Sequence, residues 1–72
     1  MKISNSRVGI YAVIDTDLGE FRVWPAGQID MWNNETDVWG YFDEFKYSEG
    51  DVEALRNAAH DAITLELNKA LK

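Results

Sequence analysis

The sequence predicts an α+β fold, with one C-terminal amphipathic helix packed on one face of a small antiparallel sheet of three to four strands. Apolar residues recur at helical spacing through the last third of the chain, whereas short runs before it alternate between apolar and polar residues. Polar turn sequences separate these runs, so the connections are short and indicate a meander. A chain of 72 residues is expected to form a single domain with a thin two-layer core.

The first strand is expected at about 7–15, where apolar side chains alternate from Val8 to Ile14. Residues 1–6 are mostly polar and are expected to be a loose lead-in. Turn-forming residues at 15–19, 25–27 and 33–37 then separate the later runs. The remaining strands are therefore expected at about 20–24, 28–32 and 38–42.

The helix is expected at about 49–71. Ser48 can cap its first turn together with Asp51, and no Gly or Pro interrupts the segment from Val52 to Leu71. At 100° per residue one stripe is apolar, and its members are Val52, Leu55, Ala59, Ala62, Ile63, Leu67 and Ala70, with Leu71 near the edge.

Strict alternation assigns each strand residue to one face of the sheet. The helix-facing set is expected to be Ile10, Ile14, Phe21, Val23, Ile29, Met31, Val38 and Phe42. The opposite face then receives Tyr11, Val13, Trp24, Trp32, Trp39 and Tyr41, beside Glu20, Asp30 and Asp43. One helix shields only one side of a sheet, so this second face is expected to be aromatic, acidic and exposed.

The charge balance argues against direct nucleic-acid binding. The chain carries 13 acidic and seven basic residues, a net charge of −6, and its basic residues are scattered. The acids concentrate between Asp30 and Glu53, where Lys46 is the lone cation. A field of this sign speeds encounter with a basic protein surface.

No catalytic, metal or cofactor site is predicted. His60 is the single histidine and cysteine is absent, so imidazole or thiolate metal sites lack ligands. The segment from Asp15 to Gly19 lacks the later ligands of a calcium loop and is expected to be a hairpin turn. No leader and no apolar run of membrane-spanning length are found, which predicts a cytoplasmic protein without membrane contact.

The prediction for function is a non-enzymatic protein that binds a basic protein partner. Large aromatic patches on a surface mark contact sites, because Trp and Tyr anchor interfaces. Two alternatives remain open: the aromatic face pairs two copies as a homodimer, or its rings cover one another locally. The candidate partner-binding residues are Tyr11, Trp24, Asp30, Trp32, Glu35, Asp37, Trp39, Tyr41, Asp43 and Glu44.

In size and composition the chain resembles the small acidic proteins with which phages and mobile elements block host enzymes or defence systems. Uracil-DNA glycosylase inhibitors and several anti-restriction and anti-CRISPR proteins belong to this class, and some of them imitate DNA. The resemblance implies an inhibitor of a host nucleic-acid-acting or defence protein. It carries no motif, so it assigns no residue.

Overall fold

The computed structural model describes residues 1–70, which form an antiparallel sheet followed by one helix. The five strands lie side by side in chain order, which makes the sheet a meander. The α+β class is therefore confirmed, and the expected strand count is too low by one. The elements are β1 (Ile3–Val8), β2 (Ala12–Thr16), β3 (Gly19–Val23), β4 (Ile29–Asn33), β5 (Val38–Tyr41), a short 3-10 helix (Glu44–Lys46) and α1 (Glu49–Ala70).

The additional strand arises at the amino end. The single strand expected at 7–15 is two strands joined by a bend at residues 9–11, and the expected lead-in is most of β1. Val8 pairs with Ala12, so both side chains lie on the same face of the sheet. Because three residues separate them, the alternation of apolar side chains continues across the bend, and the sequence shows no break there. Ile10, expected to face the helix, lies at the bend and is 81% exposed.

The core lies between α1 and the middle of the sheet, and its buried strand residues come from β2, β3 and β4. Its buried side chains are Ala12, Ile14, Phe21, Val23, Ile29, Phe42, Val52, Leu55 and Ala59. Val38, also expected to face the helix, is exposed because α1 packs against β1, β2 and β3 rather than against β5.

Tyr47 shields the helix side of the sheet where α1 does not reach. Its ring stacks on Phe42 at 4.8 Å between centroids and meets Phe21 edge-on at 5.8 Å. Its hydroxyl donates to the Met31 sulfur at 3.3 Å. The segment after β5 thus folds back over the core side of the sheet.

The predicted cap of α1 is present, since the Asp51 N–H donates to the Ser48 hydroxyl at 3.1 Å. Only the first half of the predicted apolar stripe packs fully, because a helix of 22 residues is about 33 Å long and outruns strands of about 17 Å. Ala62 and Ile63 are half-buried, whereas Leu67 and Ala70 are exposed. Leu71 lies outside the described residues.

A 22-residue helix has the length to span a bilayer, but α1 does not have the composition. No helix among residues 1–70 combines the length and the apolar character that a membrane crossing requires.

Candidate functional site

The candidate site is the sheet face opposite α1, which we call the outer face. Cross-strand pairing places Arg22 opposite Asp30, Trp32 opposite Trp39, and Asp30 opposite Tyr41. Residues directly opposite each other in an antiparallel pair project from the same face. Within residues 1–70 the only α-helix packs on the other side of the sheet and leaves this face uncovered.

An arginine occupies the middle of the outer face. The Arg22 Nε and Nη2 groups donate to the Asp30 Oδ2 atom at 2.9 and 2.6 Å, and the Trp24 indole N–H donates to the same atom at 2.9 Å. The guanidinium carbon also lies 5.0 Å from the ring centroid of Tyr11, 5.1 Å from that of Trp24 and 4.7 Å from that of Trp39. One cation therefore links a carboxylate to three rings, which come from the bend before β2, from the residue after β3 and from β5.

This network fixes the aromatic side chains. The Arg22 and Asp30 side chains are only 19% and 16% exposed, so their hydrogen bonds are partly shielded from water. Tyr11 packs on Trp24 at 4.8 Å and Trp32 meets Trp39 at 5.3 Å between centroids. Each of these rings is half-buried, so local packing accounts for part of the aromatic surface.

The pKa of Asp30 is held below its usual range. Burial raises this pKa, but the hydrogen bonds from Trp24 and Arg22, together with the Arg22 charge, outweigh burial and lower it. The carboxylate form is therefore favoured in the folded protein.

The free energy of unfolding should consequently fall in acid. Because the folded pKa of Asp30 lies below its unfolded value near 3.8, the stabilisation is complete above that pH and is lost as the pH falls through the folded pKa. Urea unfolding at a series of pH values between 2 and 7 should show this loss. The free energy of unfolding should fall less steeply with decreasing pH in Asp30→Asn than in the wild type. Equal pH dependence in the two proteins would contradict the lowered pKa of Asp30.

A groove crosses the outer face beside the network. Its apolar lining comes from the end of β1, the bend after it, β2 and the last two strands, and comprises Val8, Ile10, Tyr11, Val13, Trp32 and Trp39. Arg7 and Glu20 lie at its margin. The face therefore offers a concave apolar surface.

The carboxylates on this face are largely paired. Arg7 lies 3.2 Å from Asp15 and 3.1 Å from Glu20, and Arg22 binds Asp30. The outer face is therefore close to neutral, and the excess negative charge of the chain lies elsewhere.

The structure separates the candidate partner-binding residues into two groups. Six side chains share the outer face: Tyr11, Trp24, Asp30, Trp32, Trp39 and Tyr41. The other four lie beyond the two ends of β5. Glu35 and Asp37 are in the preceding turn, Asp43 caps the 3-10 helix, and Glu44 lies 3.9 Å from Arg56 of α1, on the helix side.

Sequence reasoning missed Arg22, the residue that organises the face. The signal was present, because the turn at 25–27 places Arg22 across from Asp30 on the same face as Trp24. An opposite-charge pair at such positions predicts an ion pair.

Among the described residues no three His, Cys, Asp or Glu side chains are arranged to hold a metal ion. No protein-family model matches the chain, and neither curated proteins nor solved structures give a significant match.

Proposed function

We propose that this chain is a non-enzymatic protein-binding protein that docks through the outer face onto a basic surface of its partner. Occupying a surface that normally contacts nucleic acid would make it an inhibitor of the phage or mobile-element type. The observation that carries the proposal is the aromatic face in which Arg22 and Asp30 contact the rings of Trp24 and Trp39, with no helix of residues 1–70 over it.

Rigidity favours binding because side chains that are already ordered lose little conformational entropy on association. Trp39 and Trp24 are held against the same guanidinium, whereas Tyr41 is 85% exposed at the margin. Anchors of this type typically contribute about 2 kcal/mol or more each when they become fully desolvated. The shallow groove beside them offers further apolar surface for contact.

The charge distribution supports a basic partner and argues against mimicry of DNA by the outer face. A mimic needs rows of unpaired carboxylates, whereas Asp15, Glu20 and Asp30 are each paired with arginine. Within residues 1–70, the unpaired acids nearest to this face in sequence are Glu35, Asp37 and Asp43, beyond the ends of β5. Such charges steer encounter and contribute little to the lifetime of a complex.

The test begins with a partner captured from a bacterial lysate and purified, after which Kd is measured for point variants. Trp32→Ala and Tyr41→Ala should each weaken binding about 30-fold, which corresponds to about 2 kcal/mol. Tyr41 makes no fold-stabilising aromatic contact that would be lost, so its variant should unfold like the wild type.

The matched control is Leu67→Ala. Leu67 is an apolar residue that is 60% exposed but lies on α1, which packs on the opposite side of the sheet, so its loss should leave Kd unchanged. Equal effects of Leu67→Ala and Tyr41→Ala would refute docking through the outer face. Sedimentation of the free protein addresses the homodimer: a stable dimer in which the outer face is buried would replace the proposal.

A further inference from the structure

The two edge strands of the sheet, β1 and β5, differ in how well they are protected from pairing with another chain. The β1 edge carries Ser4, Asn5 and Ser6 in succession, and its register with β2 shifts between Ile3 and Asn5. Polar residues and irregular register protect an edge from pairing with another chain. The β5 edge, Val-Trp-Gly-Tyr, has a regular register with β4 and contains neither charge nor proline.

The unpaired backbone groups of β5 belong to its two aromatic residues. The Trp24 N–H donates to the Gln28 carbonyl at 2.8 Å, so Gln28 directs its backbone groups toward β3. Because successive residues in a strand direct these groups to alternate sides, Met31 directs its groups toward Gly40 of β5. Trp39 and Tyr41 therefore present their N–H and C=O groups at the free edge.

Two side chains of β5 are also exposed to solvent. Val38 on the helix side is 55% exposed, and Tyr41 is exposed on the outer face. Gly40 lies between them, and a Cβ atom there would come no closer than 4.0 Å to the Met31 carbonyl oxygen. The fold thus has room for a side chain at position 40, whereas glycine within a strand often marks the close approach of another backbone.

We propose that the free edge of β5 receives an extended, basic segment of the partner as an added antiparallel strand. This inference rests on the proposed function and assigns a binding mode to it. Backbone hydrogen bonds to Trp39 and Tyr41 would supply affinity, as in other cases of strand addition. The side chains of the added segment opposite these residues would extend the aromatic surface of the outer face.

Charge identifies the occupant. Glu35 and Asp37 precede β5, and Asp43 follows it, so acids lie beyond both ends of the strand. Antiparallel pairing of two copies would bring these acidic ends together and would be repulsive. A segment with Lys or Arg flanking alternating β-branched residues meets both ends with opposite charge, so a basic partner strand is favoured over a second copy.

The test is an NMR titration of the ¹⁵N-labelled protein with the peptide acetyl-Lys-Val-Lys-Val-Thr-Val-Lys-amide. The amide signals of residues 38–41 should shift, and the Trp39 and Tyr41 amides should gain protection from hydrogen exchange. Two control peptides should bind at least tenfold more weakly: one with Glu in place of each Lys, and one methylated at alternate backbone nitrogens.

A pair of variants isolates the backbone contribution. Tyr41→Pro removes an N–H that points to the free edge and so breaks no bond to β4, whereas Tyr41→Val removes the ring but keeps the N–H. Peptide affinity should fall at least tenfold further in Tyr41→Pro than in Tyr41→Val, with thermal unfolding showing that both variants are folded.

Four results would overturn the inference: no binding at millimolar peptide, equal binding of the Glu or methylated peptide, shifts confined to β1, or protected Trp39 and Tyr41 amides in a peptide-free dimer. The added strand can fail while the proposed function stands. If the captured partner is lost with Trp32→Ala but binds Tyr41→Pro and Tyr41→Val equally, the outer face docks and the added strand is wrong. If the peptide binds β5 as expected but the captured partner binds Trp32→Ala like the wild type, the proposed function is wrong.

Discussion

Replacing Leu55 with alanine should lower the free energy of unfolding by about 3 kcal/mol. Leu55 has no exposed surface and is one of three helix residues buried against the sheet, so the change leaves a cavity at the centre of the core. Domains of this size have roughly 0.05–0.15 kcal/mol of stability per residue, so the loss is a large share of the total. Urea unfolding followed by circular dichroism measures it.

Leu65→Ala is the matched control, because it makes the same chemical change in the same helix. Leu65 is 58% exposed, and alanine is at least as good a helix former, so the free energy of unfolding should change by less than about 0.5 kcal/mol. Equal losses in the two variants would mean that the second half of α1 is packed, contrary to the structure.

Replacing Arg22 with methionine should lower the free energy of unfolding by about 2–3 kcal/mol. The substitution keeps much of the apolar stem but removes three ring contacts and leaves the Asp30 carboxylate mostly buried without a neighbouring cation. An uncompensated buried charge accounts for most of the expected loss. Thermal and urea unfolding should agree on the decrease.

Arg7→Met provides the comparison on the same face. Arg7 is 56% exposed, and its pairs with Asp15 and Glu20 are screened by water, so its replacement should change stability by no more than about 0.5 kcal/mol. A double variant, Arg22→Met with Asp30→Leu, should recover part of the loss, since it removes the orphaned charge. A double variant less stable than Arg22→Met alone would contradict this account.

The helix and most of the core could be predicted because their patterns are long or redundant. The stripe through Val52, Leu55 and Ala59 has helical spacing, and Ser48 marks where the helix begins. Phe21 and Val23 lie between clear turns. Where the stripe continues past Ile63, the sequence cannot reveal that the sheet has ended.

The errors also have a physical origin in the pattern. The bend at residues 9–11 is invisible because Val8 and Ala12 remain on one face across it, and Gly9 was the one signal of a turn. Residues of β1 show no alternation because an edge strand exposed on both faces needs none. The sequence also grouped Glu44 with the outer-face residues because it lies close to β5 in the chain. Nothing in the sequence showed that Glu44 would instead approach Arg56 of α1.

The chain-order arrangement of the strands bears on how the protein folds. Each strand pairs with the one before it through a short connection, so closing each ladder costs little loop entropy. Contacts that join the C-terminal helix to the beginning of the chain arise where α1 meets β1, β2 and β3. Low contact order of this kind favours rapid folding, and hairpins could form one after another during synthesis before the helix joins the two ends of the chain.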